Sequence, residues 1–138
     1  MEGNEKTVRS VVLYVLAQKY AARLEPLLLL GPFMEEPLHV TLQGVTNHPD
    51  DITVDTFRTV TLATLKPFGL EGLALKVLKR GALPLGGGKV VFDCPITPLL
   101  QPITWLEPDR VKRIRGVAFT SKVSTQFGAR MLGSISEV

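Results

Sequence analysis

The sequence predicts an α/β layer in which helices pack on one face of a sheet. Three observations point to it. Short runs alternate polar and apolar residues with period two, as at Leu38 to Gln43 and Leu73 to Arg80. Apolar stretches of helical length sit between them, and glycine and proline clusters separate the pieces. The chain has 138 residues and is 45% apolar, enough for one ordinary domain and too apolar for a disordered one.

Residues 8 to 30 read as a helix that is apolar nearly all round, with a break or kink before Pro26. Gly31-Pro32 ends it. Leu38 to Gln43 then alternates as a half-buried strand, and Asn47 to Asp51 forms a polar loop. Thr53 is placed to cap a helix running to Phe68, whose inner face carries Val54, Phe57, Leu65 and Phe68 with Thr61 between them. Gly69 stops that helix. Leu73 to Arg80 and Lys89 to Cys94 are two further strands, joined through the tight connection Gly81 to Gly88.

Four prolines, at 95, 98, 102 and 108, make the next segment an extended linker. Val111 to Val123 reads as a long basic strand, and Ser124 or Thr125 caps a short helix carrying Phe127, Met131 and Ile135. One strand and one helix cannot make a core, so residues 104–138 are expected to be a domain cut off early. Trp105 and Phe119 are expected in a core rather than as base-stacking platforms.

Charge is uneven. Residues 1–75 hold six Lys/Arg and nine Asp/Glu, whereas 76–138 hold ten and four. The basic half suits an acidic partner, RNA or an acidic protein, or is a set of solvated surface charges. Lys112-Arg113-Ile114-Arg115 either grips RNA phosphates or forms a charged edge strand that discourages aggregation. The residues assigned to RNA or acidic-partner contact are Arg110, Lys112, Arg113, Arg115 and Lys122, followed by Lys79 and Arg80.

Other chemistry is poorly supported. The single cysteine, Cys94, excludes an internal disulfide and reads as a structural thiol. Neither His39 nor His48 has a metal-ligand partner at a suitable spacing, so no metal or cofactor is expected. Asp50, Asp51 and Asp55 fit the start of a helix and its dipole better than a cation site. Gly86-Gly87-Gly88 lacks the following helix that a phosphate loop needs, and reads instead as a turn requiring positive φ. No apolar run is long enough to span a membrane.

The segment Arg80-Gly81-Ala82-Leu83-Pro84-Leu85-Gly86-Gly87-Gly88-Lys89-Val90 resembles the signature of the RNA 3′-terminal phosphate cyclase family. Its fixed positions are Arg80, Gly81, Pro84, Gly86, Gly87 and Gly88, then an aliphatic residue. Leu24 to Gly31, Gly44-Val45-Thr46-Asn47 and Val54-Asp55-Thr56-Phe57-Arg58-Thr59 agree with the middle of such a protein. Val111 to Gly116 resembles the cyclase-like, ribosome-assembly branch of the family.

The resemblance covers roughly residues 20 to 135, and residues 1–20 diverge from it. It implies that residues 1–103 are one cyclase-type core repeat, helices on a four-stranded sheet. It further implies that 104–138 open a smaller α/β insert domain, truncated here. The family's nucleotide-accepting histidine and RNA-end arginines have no counterpart in this chain. Asp51-Ile52-Thr53-Val54 also lacks the prolines that true cyclases place beside the nucleotide. The resemblance therefore implies a non-catalytic ribosome-biogenesis factor, or a piece of one, acting in small-subunit ribosomal RNA precursor processing. It implies a nuclear, nucleolar location, with pre-ribosomal RNA or particles and a GTPase assembly factor as partners. The alternative it leaves is a piece of a true ATP-dependent cyclase.

Overall fold

The computed structural model describes residues 10–19, 21–106, 110–112, 114, 116–120 and 123–136. It divides into two compact units, Met1–Thr104 and Trp105–Val138.

The first unit is a four-stranded sheet in the order β1-β2-β4-β3, formed by β1 (Ser10–Lys19), β2 (Leu38–Val45), β3 (Ala74–Lys79) and β4 (Gly88–Cys94). β1 runs parallel to β2, and the crossover between them is the helix α1 (Ala21–Leu30). β4 lies antiparallel to both β2 and β3. On β2 and β4 burial alternates cleanly. Leu38, Val40, Leu42, Val90, Phe92 and Cys94 turn inward, while His39, Thr41, Gln43, Val91 and Asp93 lie half-buried on the opposite face. Leu24 and Leu28 of α1, with Val54, Phe57 and Leu62, join the inward set in one core cluster. Each such fully buried side chain contributes on the order of 1.5–3 kcal/mol.

The start of the chain departs from the predicted helix 8–30. Residues 10–19 form a strand, and the helix occupies only Ala21–Leu30. An all-round apolar pattern does not separate a covered strand from a buried helix. Val11, Val12, Tyr14 and Val15 have the branched and aromatic side chains that favour the strand. Pro26 does not break α1 but lies inside it. The helix forgoes the single bond from residue 26 to the carbonyl of residue 22.

The second helical segment runs from 54 to 68 in four pieces. These are α2 (Val54–Thr56), a π-helical turn (Phe57–Thr61), α3 (Leu62–Leu65) and a 3₁₀ turn (Lys66–Phe68). Thr53 caps it, its side chain accepting from Thr56 N–H at 3.2 Å. Gly69 ends it with φ +87°. Within the π turn, Thr59 Oγ1 donates at 2.8 Å to Asp55 O, the carbonyl that an α-helical Thr59 N–H would use. The wider turn shifts the buried face by one residue. Leu62, not Thr61, follows Phe57 into the core, whereas Leu65 and Phe68 are only half-buried.

The described residues of the proline-rich stretch after β4 have no regular structure. It is nonetheless tied to the first unit: Thr97 N–H donates to Pro32 O at 2.7 Å and Gln101 N–H to Phe68 O at 2.8 Å.

The second unit holds the helix α4 (Gln126–Ser136), with Ser124 Oγ accepting from Gln126 N–H at 3.4 Å. The long strand predicted at Val111 to Val123 is not formed by its described residues. A strand needs a neighbour to take its N–H and C=O groups. Val111 and Ile114, 85% and 91% exposed, have no buried face to gain either. Trp105 and Phe119 are likewise exposed rather than in a core, since this unit has no second layer among its described residues to cover them.

Candidate functional site

Three segments far apart in sequence meet at one end of the sheet: Thr46-Asn47 after β2, Asp55 to Arg58 on the second helical segment, and Arg80-Gly81 after β3. The Arg80 guanidinium holds the Asp55 carboxylate with both terminal nitrogens. Nη1 donates to Oδ2 at 2.6 Å and Nη2 to Oδ1 at 3.0 Å. Such a forked pair combines charge with fixed geometry. Arg58 Nη2 adds a longer contact to Oδ1 at 3.4 Å. Asp55 is 9% exposed, and burial alone would favour its neutral form. The Arg80 hydrogen bonds outweigh burial, and with smaller help from the Arg58 charge and the Asn47 side chain they hold the carboxyl below its ordinary value of 3.8.

Beneath this pair, Thr46 clasps Gly81. Thr46 N–H donates to Gly81 O at 2.9 Å, and Gly81 N–H donates back to Thr46 Oγ1 at 3.2 Å. The Thr46 hydroxyl, 1% exposed in its residue, has Asn47 Oδ1 at 2.8 Å and Gly81 O at 3.1 Å as acceptors for its one proton. Thr46 O accepts from Val54 N–H at 3.3 Å, which joins the clasp to the start of the helix carrying Asp55.

Gly81 has to be glycine. A Cβ there would lie 2.2 Å from Gly88 N and 2.4 Å from Gly44 O. Gly86 and Gly87 have φ of +65° and +77°, the left-handed region open to glycine. The loop closes on itself through Gly86 N–H to Ala82 O at 2.9 Å, and its ends pack backbone to backbone on β2. The turn is a close-packed clasp that leads directly into β4.

Chemically, this arrangement fixes structure. Its one carboxylate is committed to two guanidinium groups. Among the described residues no three His, Cys, Asp or Glu side chains gather as metal ligands, and no helix is long and apolar enough to cross a membrane. At the other end of the sheet, His39 on β2 donates to Asp93 directly across on β4. An open depression of about 360 Å³ lies there, lined by His39, Asp93, Pro37, Gly72 and Pro95 among others.

The residues expected to contact RNA are divided between the two units. Lys79 is exposed on β3, and Arg80 is engaged with Asp55. Arg110 and Lys112 are exposed in the second unit, while Arg113, Arg115 and Lys122 lie outside the described residues. Sequence reading placed Asp55 at a helix start, where it is, but missed its partner Arg80, 25 residues away. It also missed the roles of Thr46, Asn47 and Arg58. The available signal was that each lies in a segment sharing the signature's family resemblance.

Residues 15–135 match the family model described as RNA 3′-terminal phosphate cyclase. The chain is 49% identical over 109 residues to a probable RNA 3′-terminal phosphate cyclase-like protein of Dictyostelium discoideum, covering 78% of this chain and 29% of that protein. It is 44% identical over 117 residues to the human RNA 3′-terminal phosphate cyclase-like protein, covering 83% and 31%. It is 46% identical over 114 residues to the rRNA processing protein rcl1 of Schizosaccharomyces pombe, covering 80% and 31%. The chain thus spans about three tenths of the length of these relatives.

Proposed function

From the premise that the chain belongs to the RNA 3′-terminal phosphate cyclase family, we propose that it acts in ribosome biogenesis as a non-catalytic RNA-handling piece of the cyclase-like branch. The observation that carries this reading is its 46% identity to a protein named for rRNA processing. The committed Asp55 carboxylate and the backbone-packed glycine turn support it, because both serve the fold.

In this reading residues 1–103 are a core repeat and 104–138 the start of an insert domain. The chain works in the nucleus, at the nucleolus, on the small-subunit ribosomal RNA precursor. Arg110, Lys112, Arg113, Arg115 and Lys122 contact RNA or an acidic partner, and a GTPase assembly factor is its protein partner. Recovery of precursor RNA with the tagged chain from nuclear extract tests this. We expect small-subunit precursor enriched over mature RNA, and equal recovery of both would contradict it. The rival reading, a piece of a true cyclase, is tested separately. ATP-dependent cyclisation of a 3′-phosphorylated oligonucleotide by the purified chain would establish that reading in its place.

A further inference from the structure

Three lysines are brought together on the outer face of the sheet, the one away from the core cluster, by one irregularity in β3. Lys76 lies opposite Val91 of β4, and Val77 opposite Val90. The register then shifts, so that Lys79, rather than Leu78, lies directly opposite Lys89. In a regular strand residues 76 and 79 would point to opposite faces. The extra residue at the bulge returns Lys79 to the face of Lys76, and Leu78 is left 59% exposed beside it. Lys89 shares this outer face with Val91 and Asp93, as the alternating burial of β4 shows.

All three lysines are exposed, and none has an ion-pair partner among the described residues. Like charges directly across two strands repel. Lys76 sits one strand over and two residues along from Lys89, a backbone separation of roughly 8 Å from strand spacing and rise. The acid on this face of β2–β4, Asp93, is two positions further along from Val91 and paired with His39.

We propose that this lysine face, Lys76, Lys79 and Lys89 with the neighbouring Gln43, binds the phosphate backbone of RNA. Gln43 lies directly opposite Lys89 on β2, placing a neutral donor in the same row. The partner follows from charge complementarity. A polyanion turns the unfavourable Lys79–Lys89 juxtaposition into a favourable one, and the compact ammonium group is a point-charge ligand for phosphate. Protein interfaces are depleted in lysine and anchored by aromatic and arginine side chains, which this patch lacks among its described residues. The inference rests on the RNA-handling reading above but assigns it a separate surface, within the first unit.

The test is fluorescence anisotropy of a labelled single-stranded oligouridylate against the whole chain across a salt series. Replacing Lys76, Lys79 and Lys89 by glutamine is expected to weaken binding at least about tenfold at low salt. The salt slope should fall by about 2, each lost phosphate contact being worth about 0.7 for a single strand. The triple arginine variant keeps the charge and is expected to keep the slope, which separates charge from folding damage. An unchanged slope in the glutamine variant would overturn this surface while leaving the RNA-handling reading in place. Binding of a polyglutamate peptide but not of the oligouridylate would overturn it in favour of an acidic protein. If the chain bound no oligouridylate yet still recovered precursor RNA from extract, the lysine face would fall and the proposed function would stand.

Discussion

Arg80 grips Asp55 with both terminal guanidinium nitrogens, and so fastens the end of β3 to the first turn of the helical segment 54–68. The pair lies above the Thr46–Gly81 clasp, so one carboxylate helps hold together three of the segments that carry the family resemblance. Removing Arg80 leaves that carboxylate mostly buried with the longer Arg58 contact and the weaker help of the Asn47 side chain. Arg80→Ala is expected to destabilise the chain by about 2 kcal/mol, less than a fully buried pair would cost because Arg80 is partly solvated. Asp55→Asn combined with Arg80→Met should lose less than the sum of the single changes in urea unfolding. Additive losses would show that the pair does not act as a unit.

The same pair sets a pH dependence. The folded Asp55 carboxyl titrates below its ordinary value of 3.8, so the unfolded chain binds the proton first as pH falls. The stabilisation from Asp55 is therefore fully present above the unfolded value, and is lost as pH drops through the lower folded value. Comparing urea midpoints near neutrality and near pH 3, the loss in the wild type is expected to exceed that in Asp55→Asn. Equal losses would mean that Asp55 titrates alike in both states.

The signature glycines should tolerate substitution unequally. Gly81→Ala forces a Cβ to within 2.2 Å of Gly88 N, where only backbone is available to move, and is expected to cost upward of about 3 kcal/mol. Gly87→Ala meets open space and pays only for its φ of +77°, about 1–2 kcal/mol. Thermal unfolding of the two variants checks the order.

Much of the first unit was legible because β2, β3, β4 and the second helical segment carry clear periods and caps. Thr53, Gly69 and the alternation through Leu38 to Leu42 mark their elements by local chemistry. What was not legible depends on partners. Residues 10–19 became a strand because β2 accepts them in parallel pairing, which their all-round apolar pattern does not encode. Leu62 replaced Thr61 at the core because a π turn shifted the face, a departure that the 3.6-residue period cannot anticipate. The Asp55–Arg80 and His39–Asp93 pairs join residues 25 and 54 positions apart, and the fold alone brings them together. The lysine face was hidden in the same way, since reading β3 with strict alternation puts Lys76 and Lys79 on opposite sides.

Cys94 should be chemically silent. Burial of the thiol pushes its pKa up to about 11, so at pH 8 only about one thiol in a thousand is ionised. Labelling by a disulfide reagent is expected to follow unfolding in urea, with native protein reacting far more slowly. Rapid labelling of native protein would contradict the buried position of the thiol on β4.

Basic side chains of the second unit should act independently of the sheet lysines. Charge reversal at Arg113 and Arg115, or at Arg110 and Lys112, is expected to weaken RNA binding and lower its salt slope by about 1–2. Combined with the lysine-face variant, the losses should add, and a ceiling set by either group would place all binding on one surface.

The central claim is that this chain handles RNA within ribosome assembly, and gradient sedimentation of the tagged chain in nuclear extract, with and without ribonuclease, tests it most directly. Migration with pre-ribosomal particles that is lost on ribonuclease treatment is the expected result. Migration as a free small protein, unchanged by ribonuclease, would contradict it.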